Sequence, residues 1–192
     1  MSFSFKLSSG RWHDLENPIA GEIELEDIAF ALARICRFGG HLRKDVPAYS
    51  VAQHSCHVSD YLFGISRRAA GYGLLHDAHE LAVGDWISPF KRYAKTYRRG
   101  SMYVPYKRIT DMWDAAIFDQ FRLGPPSRAE QEQIAEADAT MLATEFRDLI
   151  EGGLPAEREY LPEPLSMTIR PWPYADAARS FMRRANDLFC LS

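Results

Sequence analysis

Four polar side chains stand where the helical period of this chain calls for apolar ones. His54 lies on a stripe with Val51 and Val58. His76 and Asp77 close the apolar segment Ala69 to Leu75, and Asp138 stands one turn from Ile134 and from Met141 and Leu142. An ionised carboxylate in an apolar seam is very costly unless a positive charge pairs it, and no Lys or Arg falls on these stripes. A divalent cation drawing in Asp77 and Asp138, with His54 and His76 supplying neutral imidazole nitrogens, satisfies all four together. Two imidazoles and two carboxylates suit manganese, iron, cobalt, nickel or zinc better than calcium. Taken singly, each residue reads more simply as a satisfied core histidine or a carboxylate that reaches solvent; jointly they point to one bound ion. The run His76-Asp77-Ala78-His79-Glu80 is not the zinc-protease HExxH, because its histidines are three apart and Asp follows the first.

Further reactive groups follow in the chain. Glu80 projects from the same helical side one turn beyond the His76-Asp77 pair, where it can orient water or take its proton; a solvated helix end is the plainer reading. Asp85, after Gly84 and before Pro89, sits at an expected turn from which it can protonate a leaving oxygen or bind a sugar hydroxyl, or else cap a helix beginning at Trp86. Lys91, Arg92, Lys95, Arg98 and Arg99, interleaved with Tyr93 and Tyr97, form the basic cluster of the chain. Such a run is either a solvated face or a means of steering a polyanionic nucleotide. Arg37 offers the planar fork that suits phosphate, or one half of a structural ion pair. Phe38 and Trp86 can stack on a base or pack in the core.

The elements that must position these groups read as helix after helix. One helix runs from Glu26 to a stop at Gly39-Gly40, with Arg37 on its polar side. Ser50 caps the next, with Gln53 at the capping-box position and Val51, Val58, Leu62 and Ile65 as its stripe. Ala69 to Leu75 is apolar all round and is expected to be buried all round, with His76 to Glu80 as its final turn. A helix over Tyr106 to Leu123 precedes the break Gly124-Pro125-Pro126. Ser127, with Glu130 in the box position, starts another that reaches Ile150. Residues 151–173 hold two glycines and five prolines and predict a surface strap, a partner contact or a mobile linker. A last amphipathic helix occupies 174–190. The opening polar stretch, Arg11 to Leu25, predicts at most a short irregular hairpin. With no alternating strands, the expected class is all-α: a single domain over 1–192 with its core in 26–150 and a short irregular N-terminal segment.

Composition narrows the function. Of 192 residues, 46% are apolar and 26% charged, which are ordinary globular values. The net charge of −3 counts against a protein that works by neutralising a nucleic-acid backbone. No apolar run reaches the roughly 18 residues of a membrane span, and the N-terminus lacks the apolar core of a secretory signal. Cys36, Cys56 and Cys190 are an odd, widely spaced set, so neither a disulfide framework nor a thiolate zinc site is indicated. The expectation is a soluble, cytoplasmic protein.

The ordered set His54, His76-Asp77, Asp138 on helices resembles the HD-domain metal-dependent phosphohydrolases. HDAHELAVGDWISPFKR resembles the HDxxE…GDxxxPxK segment of bacterial HD-domain 5′-deoxynucleotidases (the YfbR-like proteins). CRFGGH followed by YSVAQHS resembles related phage and bacterial HD proteins, including deoxynucleoside triphosphohydrolases; the likeness covers about Glu26 to Ile150. It implies an HD-domain helical bundle with one divalent transition metal ion held by His54, His76, Asp77 and Asp138. It further implies Glu80 and Asp85 as catalytic carboxylates, Arg37 and Phe38 as substrate contacts, and Lys91 facing the phosphate. Gln53 stands where the nucleotidases tend to have Glu, and Trp86 where a smaller aliphatic residue is common. The implied activity is hydrolysis of small nucleotides, (deoxy)nucleoside 5′-monophosphates first, with triphosphohydrolysis as the alternative. Other HD chemistry, or a nucleotide-binding module without turnover, completes the set. A homo-oligomer, dimer or higher, is expected because relatives of this kind assemble.

Overall fold

The computed structural model describes residues 3–96, 103–153 and 161–191, and it is predominantly helical. Two short antiparallel strands, β1 (Ser4–Lys6) and β2 (Trp12–Asp14), open the chain. The class is therefore helical with a small two-stranded sheet, rather than strictly all-α, and the hairpin begins earlier than the Arg11 to Leu25 stretch read from the sequence. Its reason is tertiary. Phe5 and His13, paired in register, lie against the buried Trp113 ring at 5.7 and 6.1 Å, while the hairpin turn is tied by Ser8 and Ser9 donating to Asp27 Oδ1.

Asp27 belongs to α1 (Leu25–Arg34), which ends five residues before Gly39. Beyond it the chain extends, because Ile35 and Cys36 pair with Ser50 and its neighbours: Arg37 N donates to Tyr49 O and Val51 N to Ile35 O. A tight turn over Arg37–Gly40 follows, with Phe38 at φ 58° and Gly39 at φ 59°. Arg37 thus leaves the helix the period had assigned to it and sits on a turn.

Ser50 caps α2 (Val51–Phe63) by accepting from Gln53 N. Ser66 caps α3 (Arg67–Leu75) in the same way through Ala69 N. Every residue of α3 from Ala69 to Leu75 is buried, as its apolar circumference requires. It is enclosed by α2, α6, α7 and α8. At Gly73 a β-carbon would come within 2.7 Å of Leu62 Cδ1 and 3.2 Å of the Ser59 backbone, so α2 and α3 approach closely only because residue 73 has no side chain.

Past α3 a four-residue turn leads to α4 (Glu80–Val83), then α5 (Ser88–Thr96) and α6 (Tyr103–Gln120). α7 (Arg128–Leu149) opens on a complete capping box between Ser127 and Glu130. α8 (Tyr174–Phe189) lays Ala178, Phe181 and Ala185 against α1, α2 and α3. Burial of a side chain the size of Phe181 contributes about 2–3 kcal/mol. Ile65 lies outside α2 and is exposed.

Residues 161–173 of the Pro-rich stretch form a strap fastened by side chains. Leu165 N donates to Thr144 Oγ1, Ile169 N to Asp148 Oδ2 and Trp172 N to Gln53 Oε1, while Gln53 Nε2 donates to Arg170 O. Residues 154–160 lie outside the described residues. Among the described residues no helix is long and apolar enough to cross a membrane.

Candidate metal centre

α2 contributes His54, the turn that follows α3 contributes His76 and Asp77 in place of the helical final turn expected there, and α7 contributes Asp138. His54 Nε2 lies 3.3 Å from His76 Nε2, 3.2 Å from Asp138 Oδ1 and 3.7 Å from Asp77 Oδ2. His76 Nε2 lies 3.2 Å from Asp77 Oδ2 and 4.0 Å from Asp138 Oδ1. Ligand atoms bonded at about 2.1 Å to one ion stand roughly 3.0–3.4 Å apart as neighbours in octahedral or tetrahedral arrangement. His54, His76 and Asp138 each bring one ligand atom within 4.8 Å of the others and could hold one metal ion, with Asp77 Oδ2 bordering the same cluster.

The imidazoles are already oriented for that task. His76 Nδ1 donates to Gly73 O at 2.8 Å, and His54 Nδ1 stands 2.6 Å from Glu145 Oε1. With Nδ1 committed, each ring turns Nε2 to the centre, the arrangement in which an outer hydrogen bond fixes the tautomer of a metal ligand. Without an ion the same atoms attract protons. Burial and the Arg37 charge lower the His54 pKa, but Glu145 and Asp138 outweigh them and raise it to about 9. Burial likewise lowers that of His76, and Asp77 more than reverses it. Burial alone would raise the Asp138 pKa, yet the His54 hydrogen bond and the surrounding positive charge bring it down to about 2.

Two readings are corrected here. Asp138 is not sealed in a core seam, for 44% of its side chain is exposed; it stands at the lip of the cluster. A positive charge does reach the carboxylates, but from off the helical stripes. Arg37, half-buried, places Nη1 3.4 Å from Asp77 Oδ2 and Nη2 3.0 Å from Glu145 Oε2. Arg37 therefore ties the Asp77 ligand to the Glu145 that holds His54. Glu145 itself escaped the sequence reading. It is fully buried, and the signal for it was present, since Glu145 stands seven residues after Asp138 on the same face of α7.

Glu80 is 1% exposed, so it is no solvated helix end, and among the described residues neither carboxylate oxygen has a hydrogen-bond partner. Burial, Asp77 and Asp85 all push its pKa well above the ordinary range. Lys91, on α5, brings Nζ to 3.8 Å from Glu80 Oε1. Asp85 is half-buried just after Gly84, and its charge is felt at both Glu80 and Arg37. Helix α5 begins only at Ser88, so Asp85 does not cap a helix starting at Trp86. Phe38 packs edge-on against Phe146 at 5.4 Å, and Trp86 stacks on Tyr106 at 4.0 Å. Both rings thus have packing partners. His79 Nδ1 meets Asp114 Oδ1 at 2.8 Å, a pair the spacing did not announce.

A cleft of 670 Å³ opens on His76 between α6 and the start of α7, lined also by Lys107, Asp111, Asp114, Asp119 and Gln131. Its wall is more acidic than the basic approach suggested by the Lys91 cluster. Of that cluster, Lys91 and Arg92 lie on α5; Tyr97, Arg98 and Arg99 lie outside the described residues, as does the side chain of Lys95.

The chain is 34% identical over 190 residues to YfdR, an uncharacterized protein of Escherichia coli (strain K12), covering 98% of this chain and 96% of YfdR. The chain belongs to the YfdR family. A second relative, an uncharacterized protein of Rhodobacter capsulatus, is 33% identical over 185 residues, 90% of each chain. No protein-family model matches the chain.

Proposed function

We propose that this chain is an HD-type, divalent-metal-dependent phosphohydrolase acting on small nucleotides, with (deoxy)nucleoside 5′-monophosphates as the preferred class. The observation that carries the reading is the convergence of His54, His76, Asp77 and Asp138 at ligand-to-ligand spacing, each histidine with its Nδ1 already held. An ion bound there would supply Lewis acidity to a phosphoryl oxygen and to water. Manganese, iron, cobalt, nickel and zinc all suit the donor set.

The protein groups around the cluster have matching roles. Glu80, as a carboxylate whose proton affinity burial raises, would take a proton from the attacking water. Lys91 and Arg37 offset the charge that gathers on phosphoryl oxygens, with Arg37 acting mainly by holding Asp77 and Glu145 in place. Asp85 protonates the leaving oxygen or binds a sugar hydroxyl. The carboxylates of the adjoining cleft favour the monophosphate over the triphosphate, because Asp111, Asp114 and Asp119 repel a polyphosphate tail yet accept hydrogen bonds from nucleoside hydroxyls.

The test is release of inorganic phosphate from dAMP, with dATP beside it, by protein supplied with manganese or cobalt. Turnover of dAMP in the native chain and its loss, by at least 10³-fold, together with bound metal in Asp77→Ala is the expected outcome. An Asp77→Ala protein with undiminished turnover overturns the reading.

A further inference from the structure

We infer a second divalent-cation site beside the first, formed by Asp77, His79 and Glu80. The inference rests on the metal reading of the first cluster and extends it from one ion to two. The three side chains each bring one ligand atom within 4.8 Å of the others. Proximity alone would be weak, because acidic groups often gather without an ion. Three further features of the site point to a cation.

The first is Glu80. It is 1% exposed, and among the described residues neither carboxylate oxygen is hydrogen-bonded. Lys91 Nζ, at 3.8 Å from Oε1, is beyond hydrogen-bond distance. A buried carboxylate in this state requires either a proton or a closer positive charge. The backbone makes matters worse. The turn from His76 to His79 closes with i to i+3 hydrogen bonds, Ala78 N to Leu75 O and Glu80 N to Asp77 O, each 3.0 Å. Such a turn eclipses side chains three apart, so it sets Glu80 over Asp77, carboxylate upon carboxylate. A shared cation turns that repulsion into attraction.

The second is His79. Its Nδ1 is engaged by Asp114 Oδ1 at 2.8 Å; with Nδ1–H donating to that carboxylate, the Nε2 lone pair is left for a ligand. His54 has the same arrangement with Glu145 in the first site. The third is Asp77. Its Oδ2 makes the contacts to His54, His76 and Arg37, and Oδ1 makes none of them, so the residue can bridge two ions.

Charge balance agrees. Asp77, Glu80, Asp85, Asp114, Asp138 and Glu145 gather around Arg37 and Lys91. These carboxylates outnumber the cationic side chains among them, an excess that bound cations offset. A transition metal with mixed nitrogen and oxygen preference, manganese above all, fits the donors. Two ions so placed would grip a phosphoryl group from two sides. Glu80 can hold the ion through one oxygen and keep the other for a proton.

The test counts ions. Metal-free protein is saturated with Mn²⁺, passed through a desalting column and assayed by plasma mass spectrometry, with electron paramagnetic resonance on the same sample. Two ions per chain and a spin-coupled Mn²⁺ pair are expected for the native chain. One uncoupled ion is expected for His79→Gln and for Glu80→Gln, with Asp114→Asn weakening the second ion at least tenfold. One ion in the native chain, lost in Asp138→Asn, overturns the second site and leaves the first standing. No ion at all overturns both, and two ions retained in both His79→Gln and Glu80→Gln overturn the ligand assignment. Should those variants fail to fold by circular dichroism, the presence or absence of the coupled signal in the native chain decides.

Discussion

At the scale of single residues, the proposed metal centre leans on Glu145 as much as on its four candidate ligands. It accepts from His54 on one oxygen and from Arg37 on the other, in full burial. Removing one member of such a network leaves its partners charged and dry, at a cost of about 3–5 kcal/mol. Glu145→Gln keeps the shape but removes the charge. We expect it to weaken Mn²⁺ binding 10–100-fold, the range for outer partners of a ligating histidine. Isothermal titration beside Glu145→Asp checks this, and unchanged affinity in Glu145→Gln would deny the residue its orienting role. The four candidate ligands stood out in the sequence because each breaks an apolar period. The place of Arg37 could not be read there, because the period that put it on a helix is interrupted where Cys36 forms an isolated antiparallel bridge with Ser50.

At the scale of elements, the strap and α2 share one fastening. Gln53 accepts from Trp172 N, donates one amide hydrogen to Arg170 O and has Nε2 3.2 Å from His57 Nε2. His57 also lies against the Trp172 ring at 5.2 Å. Burial pushes the His57 pKa down to about 4, and an amide donor at Nε2 suits only the neutral ring. The unfolded chain binds this proton near pH 6.5, while the folded chain refuses it until about pH 4. The stabilisation is therefore complete above pH 6.5 and falls as pH drops toward 4, by up to about 3 kcal/mol. Urea unfolding at pH 7 and pH 4.5 should show this loss in the native chain and a smaller one in His57→Gln. Equal losses in the two would place the acid sensitivity elsewhere. The caps at Ser50, Ser66 and Ser127 are local hydrogen bonds between neighbours in sequence, and the first and last were legible for that reason.

At the scale of the whole molecule, the centre joins α2, the α3 end and α7, so a bound ion links segments 84 residues apart (His54 to Asp138). A ligand that binds only the folded state stabilises it by about 2.7 kcal/mol at a hundredfold excess over Kd. For a chain of this size that is a Tm increase of roughly 5–10 °C. Melting in Mn²⁺ against EDTA should show it in the native chain and abolish it in Asp138→Asn. A native Tm indifferent to every transition metal tried would mean that no ion closes the cluster.

The amino-acid order alone determined the helical character, the buried α3, the capping box of α7 and the identity of four polar intruders, because each is a property of spacing within one segment. It also carried Glu145 in plain view, seven residues beyond Asp138, without saying what would meet it. Only tertiary structure decided that Arg37 would arrive from a turn, that Glu80 would be buried without a hydrogen bond among the described residues, that Asp138 would stay half open, and that Phe5 and His13 would build a hairpin on Trp113. Those outcomes depend on which distant segments touch. Contact between distant segments is set by the joint burial of many apolar faces, which no local period encodes.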